Sequence, residues 1–120
     1  PTVNFAVGED FIAKRDAMRS DLESRFFDLE RYLNKHDGKY FVDDTPRAAE
    51  FACFHHLDLS KKLDPKLLDR FPRLMKFVDD ITSINEVSDY MKKRPELIDV
   101  GLEPKLVIDG TAHPTGVNRT

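Results

Sequence analysis

The chain has 120 residues, 40% hydrophobic and 34% charged, and its 19 basic and 22 acidic side chains leave a formal net charge of −3. That size and composition fit one soluble globular domain with a single core. The interspersed charge excludes the basic patch of a nucleic-acid binder and argues against anionic membranes, and no apolar run approaches the roughly 20 residues of a membrane span.

The opening stretch PTVNFAVGED lacks a charged segment followed by an apolar one, so no signal peptide is expected. Pro1 is compatible with a removed initiator Met or with a piece cut from a longer chain. Residues 1–8 read as an extended lead-in ending at Gly8. Asp10 to about Lys35 then reads as one long amphipathic helix. Phe11, Met18, Leu22, Phe26, Leu29 and Leu33 recur on one face. Asp10–Lys14 and Asp21–Arg25 are favourable pairs one turn apart. His36-Asp37-Gly38 is a stop signal, with Gly38 the candidate left-handed residue after the helix.

Lys39 to Asp44 is a short link whose Tyr40, Phe41 and Val42 are expected to tuck back onto the bundle. The stretch TPRAAEFACFHHLDL, Thr45 to Leu59, is the most apolar in the chain. Thr45 reads as its N-cap and Pro46 as its first helical residue. Ala49, Ala52, Cys53 and Leu57 form one stripe, flanked by Ala48, Phe51 and Phe54. A helix apolar most of the way round is expected to be central and buried, with its small residues admitting close neighbours.

Asp64-Pro65 repeats the cap-plus-proline signature and starts a turn through Leu67 and Leu68. Phe71-Pro72 opens a helix with Leu74, Phe77, Val78 and Ile81 at core spacing. Asn85 opens another, with Val87, Tyr90 and Met91 inward and Lys92, Lys93 and Arg94 near its C-terminal end, where the helix dipole favours cations. From Glu96 proline, glycine and short apolar patches alternate. Asp109-Gly110 is a turn signal. The reading is a tail, residues 95–120, with one short strand, packed over a bundle at residues 10–94. Together they make a single all-α domain.

Few residues suggest chemistry. Cys53, the sole cysteine, forbids an intrachain disulfide and suits a reducing, cytoplasmic compartment; its apolar setting reads as a small buried hydrophobe rather than a reactive thiol. His55 and His56 with Asp58 hint at a metal, but adjacent helical residues diverge by about 100°. One partly buried and one exposed histidine is the structural expectation. The acid pairs Asp43-Asp44 and Asp79-Asp80 lack an identifiable partner for general acid–base work. Asn118-Arg119-Thr120 matches a glycosylation acceptor, expected to be unused. Pro1 as a catalytic base belongs with β-rich folds. Phe26, Phe27, Phe51, Phe54, Phe71 and Phe77 read as core. No catalytic, cofactor-binding or metal-ligating residue is assigned.

The run FFDLERYLNKHDGKYFVDDTPRAAEFACFHHLD, Phe26 to Asp58, resembles the middle of the helical C-terminal domain of glutathione S-transferases. Leu29, Glu30 and Leu33 match a Leu-Glu-x-x-Leu helix end. Ala49-Glu50-Phe51 matches an Ala-Asp-Phe helix. FPRLMKFVDDI, Phe71 to Ile81, matches a Phe-Pro-x-Leu-x-x-Trp helix. The resemblance covers about Asp10 to Arg94.

The departures bear on function. The family's buried Ser/Thr-x-x-Asp capping box stands here as Arg47 and Glu50, so Thr45-Pro46 is expected to cap instead. The resemblance puts glutathione chemistry in a preceding thioredoxin-like domain, which these 120 residues do not contain. The first helix of the family's domain is also missing. This implies a non-catalytic interaction or dimerisation module, with no cofactor and no glutathione binding by the chain alone. The alternatives are the C-terminal portion of a glutathione transferase or a carrier of a small apolar ligand. Family members usually dimerise, and the apolar face of the first helix around Phe27, Ala13 and Ala17 is expected to meet a second copy, the alternative being that the tail from Leu97 to Val117 folds back over it.

Overall fold

The computed structural model describes residues 6–94, 105–109 and 111–114. Four helices, α1 (Gly8–Leu33), α2 (Ala48–Leu63), α3 (Pro72–Thr82) and α4 (Asn85–Lys93), carry the fold, and the all-α class holds. Two four-residue strands, β1 (Lys105–Ile108) and β2 (Thr111–Pro114), pair antiparallel with Ile108 opposite Thr111. Asp109 takes the left-handed conformation (φ 49°) in the link between them, where the turn signal lies. The expected packing of residues 95–120 over the bundle lies outside the described residues.

The hub is α3, not α2. Pro72 sits in its first turn after Phe71, as its missing N–H allows, and α3 packs against each of the other three helices. Leu74, Phe77 and Ile81 have no solvent exposure, and Phe71 just before them is equally buried. The Phe26 ring of α1 meets Phe71 edge-on with centroids 5.6 Å apart. From the α1–α2 link, Tyr40 stands edge-on to Phe77 at 6.1 Å. Such edge-to-face pairs add to the stabilisation from burial itself. The periodic faces of α1 and α3 are therefore the core faces.

Several links differ from expectation. α1 ends on Asn34 in ordinary helical conformation, so Gly38 is not a left-handed cap. Gly38 instead lies against the chain at Asp43, where a Cβ would come within 3.0 Å of the Asp43 carbonyl carbon. Arg73 of α3 donates to the carbonyls of Gly38 and Lys39 at 3.1 and 3.0 Å, which pins this link to the hub. Tyr40 is buried and Phe41 half-buried, but Val42 points to solvent. Lys14 pairs with Asp10 at 2.9 Å. Asp21 and Arg25 form no ion pair among the described residues.

A second, smaller cluster joins Phe11 and Ala6 to Leu63 at the end of α2. Next to it the Arg19 guanidinium donates to the Asp64 carboxylate. Asp64 also accepts the Lys66 N–H at 3.0 Å and so starts the turn that buries Leu67 and Leu68. Burial alone would raise the Asp64 carboxyl, but the Lys66 N–H and the Arg19 charge outweigh it and hold it below the usual range.

Candidate functional site

A groove of about 540 Å³ lies between α2 and α4. From α2 it takes Phe51, Phe54, His55 and Asp58. From α4 and its cap it takes Val87, Met91 and Arg94, with Glu86 and Tyr90 at the rim. Ile84, in the α3–α4 turn, completes the lining. Arg94 donates to Asp58 at 2.9 Å and ties the end of α4 to α2. The groove exists because α3 holds α2 and α4 without filling the space between them.

The outer face of α2 is open. Ala48, Ala49, Phe51, Ala52, His55, His56 and Leu59 are all exposed. The expectation that this helix is buried on every side is thus corrected. Its buried stripe is Glu50, Phe54, Leu57, Ser60 and Leu63. Alanines on the other side raise the hydrophobicity of the sequence without demanding burial, because each exposes little apolar surface. Phe51 and Leu59 do demand explanation, at 40% exposure each. Phe27 of α1, 56% exposed, stands edge-on to Phe71 with centroids 4.9 Å apart, so it too rests on the core with one side open.

The start of α2 also departs from the sequence reading. The N-cap is Arg47, not Thr45, and Pro46 precedes it. The Glu50 carboxylate accepts the Arg47 N–H at 2.9 Å, as the acid of a capping box does. Arginine has no acceptor to return the bond, and the Glu50 N–H instead finds the Arg47 carbonyl at 3.0 Å. The Arg47 guanidinium forks onto both Asp43 carboxylate oxygens at 2.8 Å. That bond holds the Asp43 carboxyl down at about 2. The extra carbon of Glu50 does not prevent its half of the box, so the longer acid is accommodated.

The residues singled out for chemistry do not converge. Both His55 and His56 are exposed, so neither is the partly buried histidine expected. Among the described residues no three His, Cys, Asp or Glu side chains gather as a metal site would require. Asp43 holds Arg47, Asp44 accepts the Lys39 N–H at 2.9 Å, and Asp80 pairs with Lys76 at 2.7 Å. Cys53 is half-buried against the core, and burial, with a smaller contribution from the Glu50 charge, pushes its thiol up to about 11. Tyr90 is not inward but 63% exposed. Pro1 and Asn118-Arg119-Thr120 lie outside the described residues. What the sequence reading missed is the groove, although Asp58 stands between Leu57 and Leu59 and Glu86 and Tyr90 stand one turn apart.

The order and placement of these helices agree with a family comparison. The model of the glutathione S-transferase C-terminal domain matches residues 5–94. This chain belongs to that family. Glutathione S-transferase P 10 of Caenorhabditis elegans is 25% identical over 81 residues, 68% of this chain and 39% of its own length. Glutathione S-transferase Mu 1 of Macaca fascicularis is 36% identical over 53 residues, 44% of this chain and 24% of its own length. Glutathione S-transferase Mu 4 of Homo sapiens is 28% identical over 83 residues, 69% of this chain and 37% of its own length. The matches thus span less than two-fifths of these transferases. No solved structure matches the chain significantly. Among the described residues, no helix of this glutathione S-transferase C-terminal domain is long and apolar enough to cross a membrane.

Proposed function

We propose that this glutathione S-transferase C-terminal domain serves as a protein-interaction and dimerisation module of the cytoplasm, with no glutathione chemistry of its own. The observation that carries this reading is the open face of α2. It runs from Ala48 to Leu59, is mostly uncharged, and includes Phe51 and Leu59. Contiguous exposed apolar surface on a folded chain is a common mark of a protein contact. Phe27 and Ile12 on α1 offer a second such face, and dimerisation is common in this family. The expected result in light scattering at micromolar concentration is twice the monomer mass, for a symmetric pair. Phe27→Asp or Ala52→Arg, both at exposed positions, should return the face that pairs to the monomer. A monomer mass for the unaltered chain would refute self-association.

A second reading is favoured by the coverage. The matched segment is less than two-fifths of each transferase named, so the open α2 face would be the surface on which the rest of such a protein sits. In that case catalysis resides in a thioredoxin-like domain joined to this one. Whether the native reading frame encodes such a domain upstream of Pro1 decides between the two. Both readings expect no glutathione binding by the 120 residues alone, and micromolar binding in a calorimetric titration would refute both.

A further inference from the structure

The groove between α2 and α4 has a charge arrangement that neither reading uses. Its lining holds three charged side chains: Asp58, Glu86 and Arg94. Arg94 is committed to Asp58 at 2.9 Å. Glu86 forms no ion pair among the described residues and is exposed. The acidic side chains of the lining therefore outnumber its arginine by one. Tyr90 follows Glu86 by one helical turn on α4, so carboxylate and aromatic ring stand side by side at the rim. Apart from the exposed His55, the rest of the lining is apolar, with Phe54 only 8% exposed and Ile84, Val87 and Met91 half-buried.

A carboxylate in the first turn of a helix also favours the helix dipole, and that accounts for Glu86 by itself. It does not account for an apolar cavity of about 540 Å³ beside it, nor for a tyrosine 63% exposed at the mouth. That volume lies in the range of small-molecule sites, which pair an apolar lining with a few placed polar groups. An organic anion would meet Glu86 and Asp58 and find the one guanidinium already engaged. An organic cation meets a carboxylate and an exposed phenol ring, both of which can attract it.

We propose that the α2–α4 groove binds a small hydrophobic cation. Its apolar body lies over Phe54, Val87 and Met91, and its ammonium sits between the Glu86 carboxylate and the Tyr90 ring. Phe51, across the groove on α2, covers the body from the other side. This site is formed by α2 and α4 of one chain, so it does not rest on the docking reading above.

The test uses the whole chain and two probes with one skeleton and opposite charge, biphenyl-4-methylamine and biphenyl-4-carboxylate. Amide shifts in two-dimensional NMR are followed during titration with each. The expected result is that the amine binds more tightly, with shifts confined to 51–58 and 84–94. Glu86→Gln is expected to weaken the amine by about three- to ten-fold and to leave the carboxylate unchanged or slightly tighter, and Tyr90→Leu to weaken the amine by about two- to five-fold. Both positions are exposed, so an unchanged spectrum elsewhere verifies that each variant folds. Equal or tighter binding of the carboxylate, shifts centred on another surface, no binding of the amine, or indifference of the amine to Glu86→Gln would each overturn the proposal.

Discussion

The carboxylate of Glu50 accepts the backbone N–H of Phe41, nine residues earlier, at 3.3 Å. Its other oxygen takes the Arg47 N–H at 2.9 Å. One side chain, 1% exposed, thus holds the start of α2 to the link that lays Tyr40 and Phe41 on Phe77. Loss of this carboxylate would leave two backbone donors without partners in a half-buried place. Glu50→Ala is therefore expected to cost about 2–4 kcal/mol, from the lost cap and the unpaired donors together. Urea unfolding measures it, and a midpoint near that of the unaltered chain would show that water replaces both bonds freely.

The change of hub from α2 to α3 has an opposite consequence at two positions. Ala52 faces solvent, so Ala52→Leu should alter stability by no more than about 0.5 kcal/mol. Phe77 on α3 has no exposure, and Phe77→Ala should cost about 3–5 kcal/mol. A large loss for Ala52→Leu in the same denaturation series would mean that something covers α2's outer face in solution. The natural next measurement would then be the mass of the species.

Asp43 gives a pH signature. The Arg47 fork, then the Thr45 N–H, lower its carboxyl to about 2 in the fold against a usual 3.8. A lowered folded-state value means that the contribution to stability is complete above about 3.8 and is lost as pH falls toward 2. Carbon-detected NMR titration should place the Asp43 midpoint near 2, and Arg47→Ala should bring it back toward 3.8. Asp64 is shifted in the same direction by Lys66 and Arg19 against its burial, so the two add to acid lability. Asp64→Asn should flatten the fall of the urea midpoint below about pH 4.

Cys53 should behave as an inert thiol. With its value at about 11 in the fold against an ordinary 9.0, the thiolate fraction near pH 8 falls by about 100-fold. Alkylation by iodoacetamide should be slower by about 10- to 100-fold in buffer than in urea, the greater nucleophilicity of a higher-pKa thiolate offsetting part of the loss. Comparable rates in the two solvents would mean that α2 opens readily around this residue.

The sequence by itself determined the order of the helices and the core faces of α1 and α3. Phe26 and Leu33 of α1, and Leu74, Phe77, Val78 and Ile81 of α3, are buried where the period places them, because these helices alternate charged and apolar faces at 3.6 residues per turn. Proline and aspartate set the starts at Asp64 and Phe71 by local backbone chemistry, which requires no partner. The order of those helices was also enough to carry the family resemblance.

Only the tertiary structure decided which helix is the hub, and the reason lies in α2. A helix rich in alanine has no polar face to mark its outside, so hydrophobicity along the chain cannot distinguish a buried side from an unpartnered one. Packing distinguishes them: α3 takes up the Phe54–Leu57 side of α2, and the Ala48–Ala52 side is left open. The same holds for the groove. Asp58 and Arg94 are 36 residues apart in sequence and Glu86 is 28 from Asp58, and no local pattern relates them. They share one cavity because α3 sets the spacing between α2 and α4.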